Sequence, residues 1–123
     1  VLKRINKTET KNKMKPKEFI DSFVFDSPLP EGELIIQGNL NLQNCSIQKL
    51  PDNLTVLGYL SLNWTKLSVL PKGLKVMGYL YIKGTQIESI PEDLICKVEI
   101  ISDRPIKNVP ALIAEKVRIA SNG

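Results

Sequence analysis

All three tyrosines and the single tryptophan lie between residues 59 and 81, at Tyr59, Trp64, Tyr79 and Tyr81. These side chains pair a large apolar body with a polar tip, and they dominate the energetics of protein interfaces. Their grouping suggests recognition. Catalysis finds little support. The chain has no histidine, which removes histidine acid–base chemistry, Ser-His-Asp triads and histidine metal sites together. The close acidic pairs Glu31/Glu33 and Glu92/Asp93 each sit beside a proline, in turns that favour solvated charge anyway. "KGTQ" at Lys83–Gln86 lacks the glycine spacing of a phosphate loop. Cys45 and Cys96 are too few for a disulfide framework and wrongly spaced for zinc. They read as small, inert thiols in a reducing compartment. The expectation is a non-enzymatic protein with no catalytic residue, no metal site and no cofactor.

Charge divides the chain. Residues 1–17 carry seven basic residues against Glu9, a local +6, and the remaining 106 carry ten basic and twelve acidic groups, a local −2. The basic character therefore belongs to a tail, expected as a flexible arm over residues 1–14. No stretch approaches the ~20 apolar residues of a membrane span, and the charged start contains no secretory apolar region. A cytoplasmic protein without a membrane partner is the implied class. Val1 stands first rather than Met, so a processed chain or a piece of something longer is expected.

The elements that position the aromatics come from a repeat. "LPDNLTVLGYLSLNWTKLSVLP" at Leu50–Pro71 is nearly rewritten as "LPKGLKVMGYLYIKGTQIESIP" at Leu70–Pro91. Aligning Leu-Pro-like pairs gives five units, starting at Leu29, Leu50, Leu70, Ile90 and Val109, at spacings of 21, 20, 20 and 19. Apolar pairs recur two residues apart as Leu40/Leu42, Leu60/Leu62, Leu80/Ile82, Val98/Ile100 and Val117/Ile119. Ile47, Leu67, Ile87 and Ile106 form another column, and Leu34, Leu54, Leu74, Leu94 and Ile113 a third. Alternation of period two signals strands, and a 20-residue unit is too short for a helix, a strand and two turns. Each unit therefore reads as one coil of a repeat solenoid over residues 29–123: a short strand, a turn and an extended return segment. One coil cannot bury its own apolar side, but a stack can.

"LGYLSLNWTKLSVLP" resembles the leucine-rich-repeat pattern, with Leu57, Leu60, Leu62, Thr65, Leu67, Leu70 and Pro71 on its positions. The short Leu-Pro repeat is similar to those of bacterial effector proteins and of phage-encoded leucine-rich-repeat proteins. That resemblance implies a right-handed coil with one parallel β-sheet of about five short strands and an extended convex side. It also implies a role in binding other proteins. The family's ladder asparagine, which bonds the neighbouring coil, is replaced by Cys45, Thr65 and Thr85, and a threonine hydroxyl can partly substitute for it. The fourth unit departs further. Pro105 stands where an apolar residue is due, and the Gly38/Gly58/Gly78 column is not continued, so a bulge or break is expected there. "MKPKEFIDSFVFDSPLP" offers Pro16 at a helix start and Phe19, Ile20, Phe23 and Val24 on one face. This is a capping helix over residues 15–28.

Between inward positions, side chains point outward in columns. The alignment sets Asn39, Tyr59, Tyr79, Lys97 and Lys116 in one column, and Asn41, Ser61, Tyr81, Glu99 and Arg118 in the next. A third holds Gln43, Asn63, Lys83, Ile101 and Ala120. The candidate partner-binding set is Tyr59, Tyr79, Tyr81 and Trp64 as anchors, with Asn63, Lys83 and Lys97 as a polar rim. The leading partner is a protein. The phage likeness implies a host factor that is bound and inhibited in the host cytoplasm. Two alternatives remain: nucleic-acid binding by the basic arm and the rings, and a targeting domain of a larger effector.

Overall fold

The computed structural model describes residues 11–24, 29 and 32–120 of the 123. The elements run β1 (Lys11–Met14), α1 (Pro16–Val24), β2 (Glu33–Ile36), β3 (Leu40–Asn41), β4 (Leu54–Val56) and β5 (Leu60–Ser61). They continue with β6 (Lys75–Val76), β7 (Leu80–Tyr81), β8 (Ile95–Cys96), β9 (Ile100–Ser102), a 3-10 helix (Ala111–Lys116) and β10 (Val117–Ile119).

The strands form two parallel sheets of five, not the single sheet expected. One has the order β1-β2-β4-β6-β8 and the other β10-β9-β7-β5-β3. The second sheet arises because the return segments also alternate. Leu34/Ile36, Leu54/Val56 and Leu74/Val76 are buried while Ile35, Thr55 and Lys75 between them are only half-buried.

Registers follow the repeat. Leu40 pairs with Leu60, Leu60 with Leu80 and Leu80 with Ile100. In the other sheet Leu34 pairs with Leu54, Val56 with Val76 and Val76 with Cys96. Each unit therefore hands its backbone groups to the same positions of the next. Leu40, Leu60 and Leu80 donate N–H to the carbonyls of Tyr59, Tyr79 and Glu99 at 2.8–2.9 Å. The core lies between the sheets, where Leu54, Leu60, Leu67, Leu74 and Leu80 are all 0% exposed. Burying each such side chain stabilises by about 1.5–3 kcal/mol.

The glycine column marks where backbones of successive units touch. Gly58 N–H bonds Gly38 O, and Gly78 N–H bonds Gly58 O, both at 3.0 Å. A Cβ on Gly78 would lie 2.9 Å from the Gly58 carbonyl carbon. Backbone cannot swing aside as a side chain can. Gly78→Ala is therefore expected to cost about 1–3 kcal/mol of stability, read as a lower midpoint in urea. The fourth unit has Val98 at this position and shows a local change. Gly78 O there receives the Cys96 Sγ–H, at 3.5 Å.

Residues 11–14 are not part of a free arm. They form β1, paired residue by residue from Lys11↔Glu33 to Met14↔Ile36. Strand pairing uses backbone groups, so a charged segment serves well, and lysines suit an edge. Residues 1–10 lie outside the described residues.

Helix α1 begins as a capped helix should. Glu18 Oε1 accepts the Lys15 N–H at 2.8 Å, half of a capping box, and Pro16 needs no donor at the first position. Phe19 is fully buried in the core, with Ile20 packed against it. The side chains of Phe23 and Val24, and residues 25–28 of the expected cap, lie outside the described residues. No helix among the described residues is long and apolar enough to cross a membrane.

Candidate functional site

The β10-β9-β7-β5-β3 sheet turns its outer surface away from the core and carries the tyrosines. Asn41, Ser61, Tyr81, Ile101 and Arg118 form one row across β3, β5, β7, β9 and β10. Tyr59 and Tyr79 stand immediately before β5 and β7. Tyr81 is the hub of the trio. Its ring stacks on Tyr79 with centroids 5.7 Å apart and meets Tyr59 edge-on at 5.9 Å. These are favoured aromatic geometries, worth about 0.5–1.5 kcal/mol beyond area burial. The direct Tyr59–Tyr79 stack suggested by their shared column gives way to contacts through Tyr81. Ile101, in register beside Tyr81, is also buried.

A shallow concavity of about 340 Å³ opens beside the trio, lined by Asn41, Gln43, Tyr59, Ser61, Asn63 and Tyr81. Its two asparagine amides are tied to the backbone. Asn63 Oδ1 accepts the Lys83 N–H at 2.7 Å, and Asn41 Oδ1 accepts the Gln43 N–H at 3.0 Å. One row over, Asn39 Oδ1 accepts the Tyr59 N–H at 2.9 Å. Asn39 and Asn63 thus hold one unit against the next, while the Asn41 bond stays within its own unit. The threonines expected in that role turn inward instead. Thr65 and Thr85 each donate to the carbonyl three residues back, Leu62 and Ile82, at 2.8 Å.

Trp64 is 56% exposed and holds a left-handed backbone with φ 61°, in line with Asn44 at 65° and Gly84 at 69°. The first three units make the same left-handed turn there, one that asparagine and glycine adopt at little cost and tryptophan does not. The indole lies against Gly84, where any side chain would collide with the Trp64 ring. Trp64 is therefore both an exposed ring and a brace between units.

The structure corrects one member of the candidate set. Lys97 does not join the face. Its N–H bonds Val76 O, in the connection between β8 and β9. The sequence alignment is out by two residues in the fourth unit. Leu80 is opposite Ile100, not Val98, which is 38% exposed. The inward pair is Ile100/Ser102, and Glu99 takes the place assigned to Lys97. Glu99 faces Arg118 at 3.4 Å, an exposed pair of small energetic weight. Lys83 is half-buried beside Asn63, and among the described residues no carboxylate pairs with it. Asn41, Gln43 and Ser61 were present in the outward columns, but nothing in their types distinguished them. Only the concavity selects them.

The remaining reactive groups lie apart from this face. Cys96 is buried, and burial pushes its thiol pKa up. Its Sγ–H lies within reach of Gly78 O and Glu99 O, a thiol held in its unreactive form. Cys45 is half-buried and free. Asp93 Oδ2 accepts the Gly73 N–H at 2.9 Å, which accounts for one acidic turn residue. Glu31 lies outside the described residues. No group of three or more His, Cys, Asp or Glu that could hold a metal occurs among the described residues. Compared with protein-family models, characterised proteins and solved structures, the chain matches none.

Proposed function

We propose that this chain is a leucine-rich-repeat-type solenoid that acts without catalysis, by holding a protein partner on its tyrosine face. The observation that carries this reading is the contiguity of Tyr59, Tyr79 and Tyr81 around one hub, beside a groove and an exposed indole. Parallel pairing at the repeat period supports the solenoid half of the proposal. Tyrosine presents large area at small entropic cost, and a clustered set concentrates binding energy as hot spots do. A host factor is the partner class suggested by the phage and effector resemblance.

The test compares capture of one identified partner by the wild type and by Tyr59→Ala/Tyr79→Ala. Two aromatic anchors lost together should weaken binding by at least ~100-fold, about 2.8 kcal/mol, since each such position carries about 2 kcal/mol or more. The circular dichroism of the variant should stay that of a folded chain. Unchanged capture by a folded double variant would remove this face from consideration.

A further inference from the structure

The groove beside Tyr81 has a polarity of its own, whose use depends on the face being a partner surface. A backbone N–H can only donate. The Lys83 N–H on Asn63 and the Gln43 N–H on Asn41 therefore decide which way round both amides sit. The oxygen of each is occupied, and the NH2 group of each is left with no partner among the described residues. Ser61, opposite Asn41 and two residues before Asn63, is 5% exposed and lines the groove, its hydroxyl also without a partner among the described residues. A buried hydroxyl left unpaired is costly, and a ligand atom that accepts its hydrogen bond relieves that cost.

We propose that the groove is a carboxylate subsite, seating an Asp or Glu side chain of the protein partner. Its oxygens accept from Asn41 Nδ2, Ser61 Oγ and Asn63 Nδ2, with Tyr59 and Tyr81 as walls. The lining supplies donors, contains no carboxylate, and adjoins Lys83, which has no carboxylate partner among the described residues. An ionised carboxylate is the strongest acceptor a protein partner can offer. A nucleic-acid strand fits less well: its phosphates call for several Lys or Arg contacts, and the lining has neither residue.

The probe is acetyl-Gly-Glu-Gly-Glu-Gly-amide, compared with its Gln counterpart and with a short oligothymidylate, each titrated into the full chain. Side-chain NH2 resonances of Asn41 and Asn63 report occupancy. The Glu peptide should shift them, and the Gln peptide should require at least about tenfold more. Asn63→Asp keeps the acceptor for the Lys83 N–H but replaces donors with negative charge, so it should weaken the Glu peptide by roughly ten- to a hundredfold in a chain that stays folded. Ser61→Ala touches no backbone bond and should weaken it about three- to tenfold. Equal response to the Glu and Gln peptides, tighter binding of oligothymidylate at these resonances, or undiminished affinity in both variants would overturn the subsite. Partner capture separates the two levels. Loss in Tyr59→Ala/Tyr79→Ala with none in Asn63→Asp overturns the subsite alone, whereas no loss in either removes the face as well.

Discussion

Phe19→Ala should lower the unfolding free energy by about 3–5 kcal/mol, the range for truncating a buried phenylalanine. Phe19 is 0% exposed and belongs to the core although it comes from the helix outside the repeat. It joins the same buried cluster as Leu34, Leu40 and Leu42 of the first unit, so truncation leaves a cavity in that cluster. A domain of this size holds only about 5–15 kcal/mol in all, so one truncation removes a large share. Urea titration followed by far-ultraviolet circular dichroism reads the effect. The control is Lys17→Ala on the same helix, which breaks only the exposed pair with Asp21 at 2.9 Å and should change stability by less than about 0.5 kcal/mol. If the two variants unfold alike, α1 is not a lid.

The second large effect is a contrast between neighbours. Ile100→Ala should cost about 2–5 kcal/mol, because Ile100 is 0% exposed and lies between Leu80 and Val117 in the sheet. Val98→Ala, two residues earlier, should cost less than about 1 kcal/mol, since Val98 already faces water. The same urea titration decides between the registers. The reverse order, with Val98 the costly position, would restore the alignment that places Val98 opposite Leu80. Repeat arrays can unfold in parts, so both variants should be followed by hydrogen exchange at β9 and β10 as well.

The misread register shows how far side-chain type can carry an alignment. Matching apolar to apolar favours Val98/Ile100, because the straightforward 20-residue step puts Ser102 at an inward position. The structure accepts Ser102 there because its hydroxyl is satisfied locally, donating to Arg104 O at 2.7 Å. The Arg104 guanidinium also reaches back to Thr85 O. A serine satisfied in this way no longer needs water, so the column can change chemistry without breaking. The second sheet is hidden in the sequence for a related reason. The in–out alternation of Leu54, Thr55 and Val56 is visible, but three residues are too few to tell a strand from an extended return.

The tyrosine face was legible as a set of columns, and its groove was not. Columns follow from the repeat period, and Tyr59, Tyr79, Tyr81 and Trp64 differ in kind from what surrounds them. Asn41, Ser61 and Asn63 are ordinary polar residues. Their significance lies in which atom of each is already engaged, and that depends on backbone N–H groups whose position is set only once the units are stacked.

The order of amino acids settles, without coordinates, that a unit of about 20 residues recurs and that its apolar positions share an interior. Periodicity is a local property, repeated often enough to outweigh noise. It also settles where the aromatic rings gather, since alternation along a strand assigns each residue a side. Coordinates alone decide that there are two sheets, that Lys11–Met14 extends one of them, and that Ile100 rather than Val98 lies opposite Leu80. They also decide which polar atoms remain free on the outer face. Each of these depends on hydrogen bonds between segments some 20 residues apart, and such bonds join backbone groups that every residue type carries alike.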